Sequence, residues 1–110
     1  MASNSKSDQV WMTSKQEFRG GYTIAVFAEN RWVADPTQPE GAYQYGIAVD
    51  PQGNPAFISM TGTIHYKKDR KWWQLKGCAS RIAFGGDGSL YKIDCQKFVW
   101  KYNETTKAWD

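Results

Sequence analysis

Histidine and cysteine are scarce in this chain: one His and two Cys among 110 residues. The two cysteines, Cys78 and Cys95, lie outside CxxC spacing, and a single His cannot complete a four-ligand zinc site with them. No metal and no cofactor is therefore expected. There is no signal-peptide pattern and no apolar run of membrane length. On that basis the cysteines are read as reduced thiols in a cytoplasmic protein, although one disulfide would suit a secreted chain. No window carries apolar residues at i, i+3, i+4, i+7, which argues against a long helix. Nucleophile-elbow, phosphate-loop and metal-helix motifs are missing too. Gly85-Gly86-Asp87-Gly88 is glycine-rich but lacks the lysine and the following helix that a phosphate loop needs. His65 sits in an apolar strand, where a packing or surface role is expected instead of base catalysis. The chain is not expected to be an enzyme.

What the chain does have is aromatic and glycine content: six Trp, six Tyr, five Phe and ten Gly. Short apolar runs bounded by Gly, Asp, Asn and Pro read as strands and turns. Strands are predicted near residues 9–13, 17–19, 22–28, 31–34, 45–49, 55–59, 63–67, 72–75, 81–84, 89–93, 98–102 and 107–110. Connections of two to six residues mean antiparallel meanders. Residues 1–8 are polar and read as a flexible terminus. Charge is uneven. Residues 1–63 carry four Lys/Arg and six Asp/Glu, and residues 64–110 carry ten and five.

A repeat runs through this pattern. Ile47-Ala48-Val49 and Ile82-Ala83-Phe84 stand 35 residues apart, as do Gly53 and Gly88, and Ile58 and Ile93. Trp73 and Trp109 follow at a spacing of about 36. Residues 41–75 and 76–110 read as two copies, and 9–40 as an incomplete earlier one in which Trp32 corresponds to Trp73. A four-stranded unit of about 35–45 residues is the pattern of a propeller blade. The series Trp73-x-x-x-Gly77-x-Ala79-x-x-Ile82-Ala83-x-Gly85-x-Asp87-Gly88-x-Leu90-Tyr91, followed by Phe98-Val99-Trp100-Lys101-Tyr102, resembles a tectonin-type β-propeller repeat. That resemblance implies an all-β partial propeller of antiparallel four-stranded blades. It also implies a lectin-like binder of carbohydrate or surface glycans, holding its ligand in shallow pockets between blades. About two and a half repeats cannot close a ring, so completion by a homo-oligomer is expected. The alternative is a protein–protein interaction or assembly module on the same scaffold.

Candidate ligand-binding residues follow from what does not repeat. Neighbouring strand residues face opposite sides, so on a one-sided sheet only one of Trp72 and Trp73 points inward. Trp73 recurs, and recurrence means packing, so Trp72 is expected to be the exposed or interface aromatic. Trp100 and Tyr66 are likewise unmatched in kind between copies. At loop tips, Asp87 and Asn54 could meet sugar hydroxyls, though both residue types suit turns for conformational reasons alone. Arg70 belongs to the densest basic cluster, Lys67-Lys68-Asp69-Arg70-Lys71, which also reads as a solvated hairpin. The modest charge and the lack of any recognisable motif argue against a nucleic-acid partner.

Overall fold

The computed structural model describes residues 2–3, 10–28 and 30–110. The chain is all-β. Its strands are β1 (Ala2–Ser3), β2 (Val10–Phe18), β3 (Gly21–Ala28), β4 (Arg31–Ala34), β5 (Ala42–Val49) and β6 (Pro55–Ser59). They continue with β7 (Thr63–Lys68), β8 (Lys71–Phe84), β9 (Leu90–Asp94), β10 (Val99–Asn103) and β11 (Ala108–Trp109). All pairings are antiparallel, and the sheet is an open meander from β1 to β11, with β4 beside β3. Among the described residues no helix is long and apolar enough to cross a membrane. Ala2–Ser3, expected in a loose terminus, pair with Trp11 and Val10. Residues 1 and 4–8 of that terminus lie outside the described residues.

The 35-residue spacing governs strand pairing. Ile47↔Phe57, Ala48↔Ala56 and Val49↔Pro55 reappear 35 residues on as Ile82↔Lys92, Ala83↔Tyr91 and Phe84↔Leu90. Phe57↔His65 and Ile58↔Ile64 reappear as Lys92↔Trp100 and Ile93↔Val99. The turns obey it as well. Gly53 N–H donates to Asp50 O at 3.0 Å, and Gly88 N–H to Gly85 O at 3.0 Å. Three four-stranded units result: β1–β4, β5 to the first half of β8, and the second half of β8 to β11.

Two of the predicted strands, 72–75 and 81–84, are one. Lys76-Gly77, which falls between them, does not end the strand. Instead Ile64 pairs with Leu75 while Thr63 pairs with Cys78, so the two extra residues form a bulge in β8. Gly77 takes φ +89° there, a conformation side chains other than hydrogen rarely allow. The bend transfers β8 from its partner β7 to its partner β9, carrying the chain from the second unit into the third. Between the first and second units the loop after β4 does this job. Its Gln38 is buried and fills the gap between the β3–β4 and β3–β5 pairings. The side chain accepts from Ile24 N–H at 2.8 Å and donates to Tyr22 O and Glu40 O, both at 2.8 Å. A loop with two prolines, Pro36 and Pro39, thus carries a buried plug.

The second unit is sandwiched. β6 is buried along its whole length. On one side Phe57, Val49 and Ala42 meet Trp11, Ile24 and Val26 of the first unit. On the other, Ala56, Ile58, Ile64, Tyr66 and Leu75 meet Leu90, Tyr102, Ile82 and Phe84 of the third. Each seam is apolar because alternate residues of the same strands face opposite neighbours.

Candidate functional site

Position within the sandwich decides what each candidate side chain can do. The β7–β8 hairpin turns through Asp69 and Arg70, both at positive φ (56° and 64°), the geometry of a two-residue type I′ loop. That turn sets Tyr66↔Trp73 and Lys67↔Trp72. Trp72 faces the first unit. Its ring meets Phe57 edge-on at 5.2 Å, and its Nε1–H donates to Thr37 Oγ1 at 3.0 Å. Trp73 lies on the opposite face and is 48% exposed. The sequence-based assignment of the two indoles is therefore reversed. Its premise, a one-sided sheet, fails for a unit covered on both sides. Trp73 stays open because it stands on the outer strand, beyond the reach of the third unit's cover.

The register also corrects the tryptophan spacing. Lys67↔Trp72 corresponds to Tyr102↔Trp109, with two additional residues in the β10–β11 turn. Trp72, not Trp73, is thus the positional partner of Trp109. Trp109 packs back on the second unit, donating to Lys76 O at 2.7 Å, with Lys92 Nζ 4.5 Å from its ring centre. Burial lowers the pKa of that ammonium, and Asp94 opposes the shift.

Around Trp73 a cleft of about 520 Å³ opens along the outer edge of the seam between the second and third units. Tyr66, Leu75 and Tyr102 form its floor. Lys68, Asp69, Gln74, Glu104 and Lys107 supply its polar wall. Lys68 bridges to Glu104 across the seam at 3.0 and 3.1 Å. Lys71 Nζ and Lys107 Nζ stand 4.7 and 5.9 Å from the Trp73 ring centre, within reach of its π-face. A half-exposed indole with hydrogen-bonding groups of both kinds around it can hold a flat, hydroxyl-rich ligand.

The six residues chosen from sequence do not gather there. Tyr66 reaches the cleft only as buried floor. Its hydroxyl donates to Asp50 Oδ2 at 2.5 Å, and burial, with the Asp50 carboxylate, pushes the phenol pKa well above the usual tyrosine range. Asn54 Nδ2 donates to Asp50 Oδ2 at 3.1 Å and serves the turn. Asp87 is exposed and accepts from Ser89 N–H at 3.0 Å and Ser89 Oγ–H at 3.1 Å. Those bonds hold its carboxyl below the ordinary carboxylate range. Arg70 is exposed at the tip of the hairpin. Trp100 donates to Asp94 Oδ2 at 2.8 Å, in a separate shallow recess beside Cys78 and Cys95. His65 is buried against Phe57 and donates from Nε2 to Glu40 Oε1 at 2.6 Å. Trp73, Gln74, Glu104 and Lys107 were not chosen. The signal that would have found Trp73 is the two-residue turn, which fixes the register and hence the face of each indole.

Cys78 and Cys95 form a disulfide, against the expectation of free thiols. Pairing of Ala79 with Asp94 places their neighbours side by side, with Cα atoms 5.7 Å apart, inside the range a disulfide spans. Among the described residues no three His, Cys, Asp or Glu side chains gather as metal ligands would.

The first seam is clamped from outside by an ion pair. Asp35 of the β4–β5 loop accepts from Lys67 Nζ at 2.7 Å and from Thr37 N–H at 2.8 Å and Oγ–H at 2.6 Å. Burial alone would raise the Asp35 pKa. The bonds from Lys67 and Thr37 overcome it and hold the carboxyl below its usual 3.8. A lowered folded-state pKa means stability that is present above pH ~4 and lost as the pH falls through the folded value. Asp35→Asn should cost about 1–3 kcal/mol near neutral pH. The difference from wild type should shrink in urea melts below pH ~4; a difference constant down to pH ~2 would show that this carboxylate is not responsible. Comparison with known proteins finds no family model and no curated protein that matches the chain.

Proposed function

We propose that the chain is a non-catalytic carbohydrate-binding module whose site is the cleft at the outer edge of the second seam. The observation that carries this reading is Trp73. Its indole is half exposed at the mouth of a cleft otherwise walled by Lys, Asp, Gln and Glu side chains. A pyranose ring offers an apolar face to an indole and hydroxyls to such neighbours. The shared pairing register of the second and third units fits the tectonin-like repeat that the sequence resembles, and in this reading the three units are consecutive blades of a propeller. The disulfide is the chemistry of an oxidising compartment. The reading therefore places the chain outside the reducing cytoplasm, where surface glycans are met.

A glycan array followed by solution titration tests it. Some neutral or acidic glycan should be retained, and Trp73→Ala should weaken it by roughly 30-fold, the loss typical of a central aromatic contact. Trp32→Ser, at the far end of the molecule, should leave affinity per site unchanged. Silence of the folded protein across the array would remove the proposal, as would full affinity in Trp73→Ala.

A further inference from the structure

Each internal seam is built to one plan. A tryptophan on the fourth strand of a unit lies back against the unit before it. Trp72 does so opposite Lys67, and Trp109 opposite Tyr102. The first unit carries the same pair, Phe27↔Trp32, with ring centres 5.3 Å apart. There Phe27 and Trp32 are 46% and 40% exposed. At the other end, Ile93 and Val99 pair as Ile58 and Ile64 do. Ile58 and Ile64 are closed into the second seam, whereas Val99 is 70% exposed. The molecule thus presents at its two ends the two halves of a contact that it makes twice internally.

We infer that this chain self-associates head to tail, the Phe27–Trp32 face of one copy seating on the Ile93–Val99 face of another. A second copy is the occupant because the exposed pairs stand at the same pairing positions as pairs already packed into the seams inside the chain. The contact is heterologous, so it closes into a ring or continues as a filament according to the rotation between copies.

Light scattering on the full chain, with the disulfide intact, tests this. Wild type should give a mass above that of one chain, a fixed multiple for a ring or a broad distribution for a filament, that falls on dilution. Trp32→Asp alone and Val99→Asp alone should each weaken association more than about tenfold, because every contact needs both faces. An equimolar mixture of the two variants should restore a complex with one copy of each, through the intact tail of one and the intact head of the other. Both sites are exposed, so the fold should survive; Trp32→Ser and Val99→Thr serve if circular dichroism shows otherwise. Monomeric wild type up to roughly 100 µM, far above the range of a micromolar contact, would overturn the proposal. So would association abolished by one variant and untouched by the other, since that is the mark of a two-fold contact between like faces. The readout is mass, so it stands apart from any result with glycans.

Discussion

Asp50→Ala is expected to lower stability by ~3–5 kcal/mol, the largest effect of any single substitution considered for this chain. Asp50 is buried and gathers four donors. Oδ1 accepts from Gln52 N–H at 2.9 Å and Asn54 N–H at 2.8 Å, and Oδ2 from Asn54 Nδ2 and the Tyr66 hydroxyl. The alanine would leave two backbone N–H groups and a buried phenol without their acceptor, each costing ~1–3 kcal/mol before relaxation. Tyr66→Phe is the control. It removes one donor and leaves three, so a cost of ~1–1.5 kcal/mol is expected. Urea melts with an unchanged m-value would measure both. A loss under ~1 kcal/mol for Asp50→Ala would mean that water or neighbours replace the carboxylate, and that the turn does not depend on it. The third unit shows why the residue is specific to its place. Thirty-five positions on stands Gly85, whose turn is served from within by the exposed Asp87.

Reduction of Cys78–Cys95 should cost about 3 kcal/mol, the loop-closure value for a bridge with a sequence separation of 17. The urea midpoint should fall on adding reductant, and the double variant Cys78→Ser/Cys95→Ser should match the reduced protein. The unreduced, denatured chain should react with no thiol reagent. Free thiols under those conditions, or coincident oxidised and reduced melts, would show that the pair does not form. Gly62 belongs to the same corner. It holds φ +89°, and a Cβ there would stand 2.6 Å from the Cys78 sulfur. Gly62→Ala should therefore strain both the turn and the bridge.

These two expectations concern groups whose importance could not be judged from sequence, and the reason is the same for each. Asp50 reads as an ordinary turn residue because Tyr66, its partner, is sixteen positions away on another strand. The cysteines read as unrelated thiols because the register that aligns them belongs to the β8–β9 pairing. A strand's alternation tells which residues share a face, and it does not tell how many faces are covered. Trp72 and Trp73 were sorted on the assumption of one.

Local chemistry alone was enough for the all-β class, for the positions of most strands and turns, and for the 35-residue period, since these rest on side-chain period, turn formers and short connections. Which indole stays open was decided by the stacking of three units, and that Lys76-Gly77 bends a strand without ending it and that Cys78 meets Cys95 were decided by the registers of β7–β8 and β8–β9. Each depends on a non-local neighbour or on a bulge that shifts which way side chains point, and a single residue of register exchanges one face for the other.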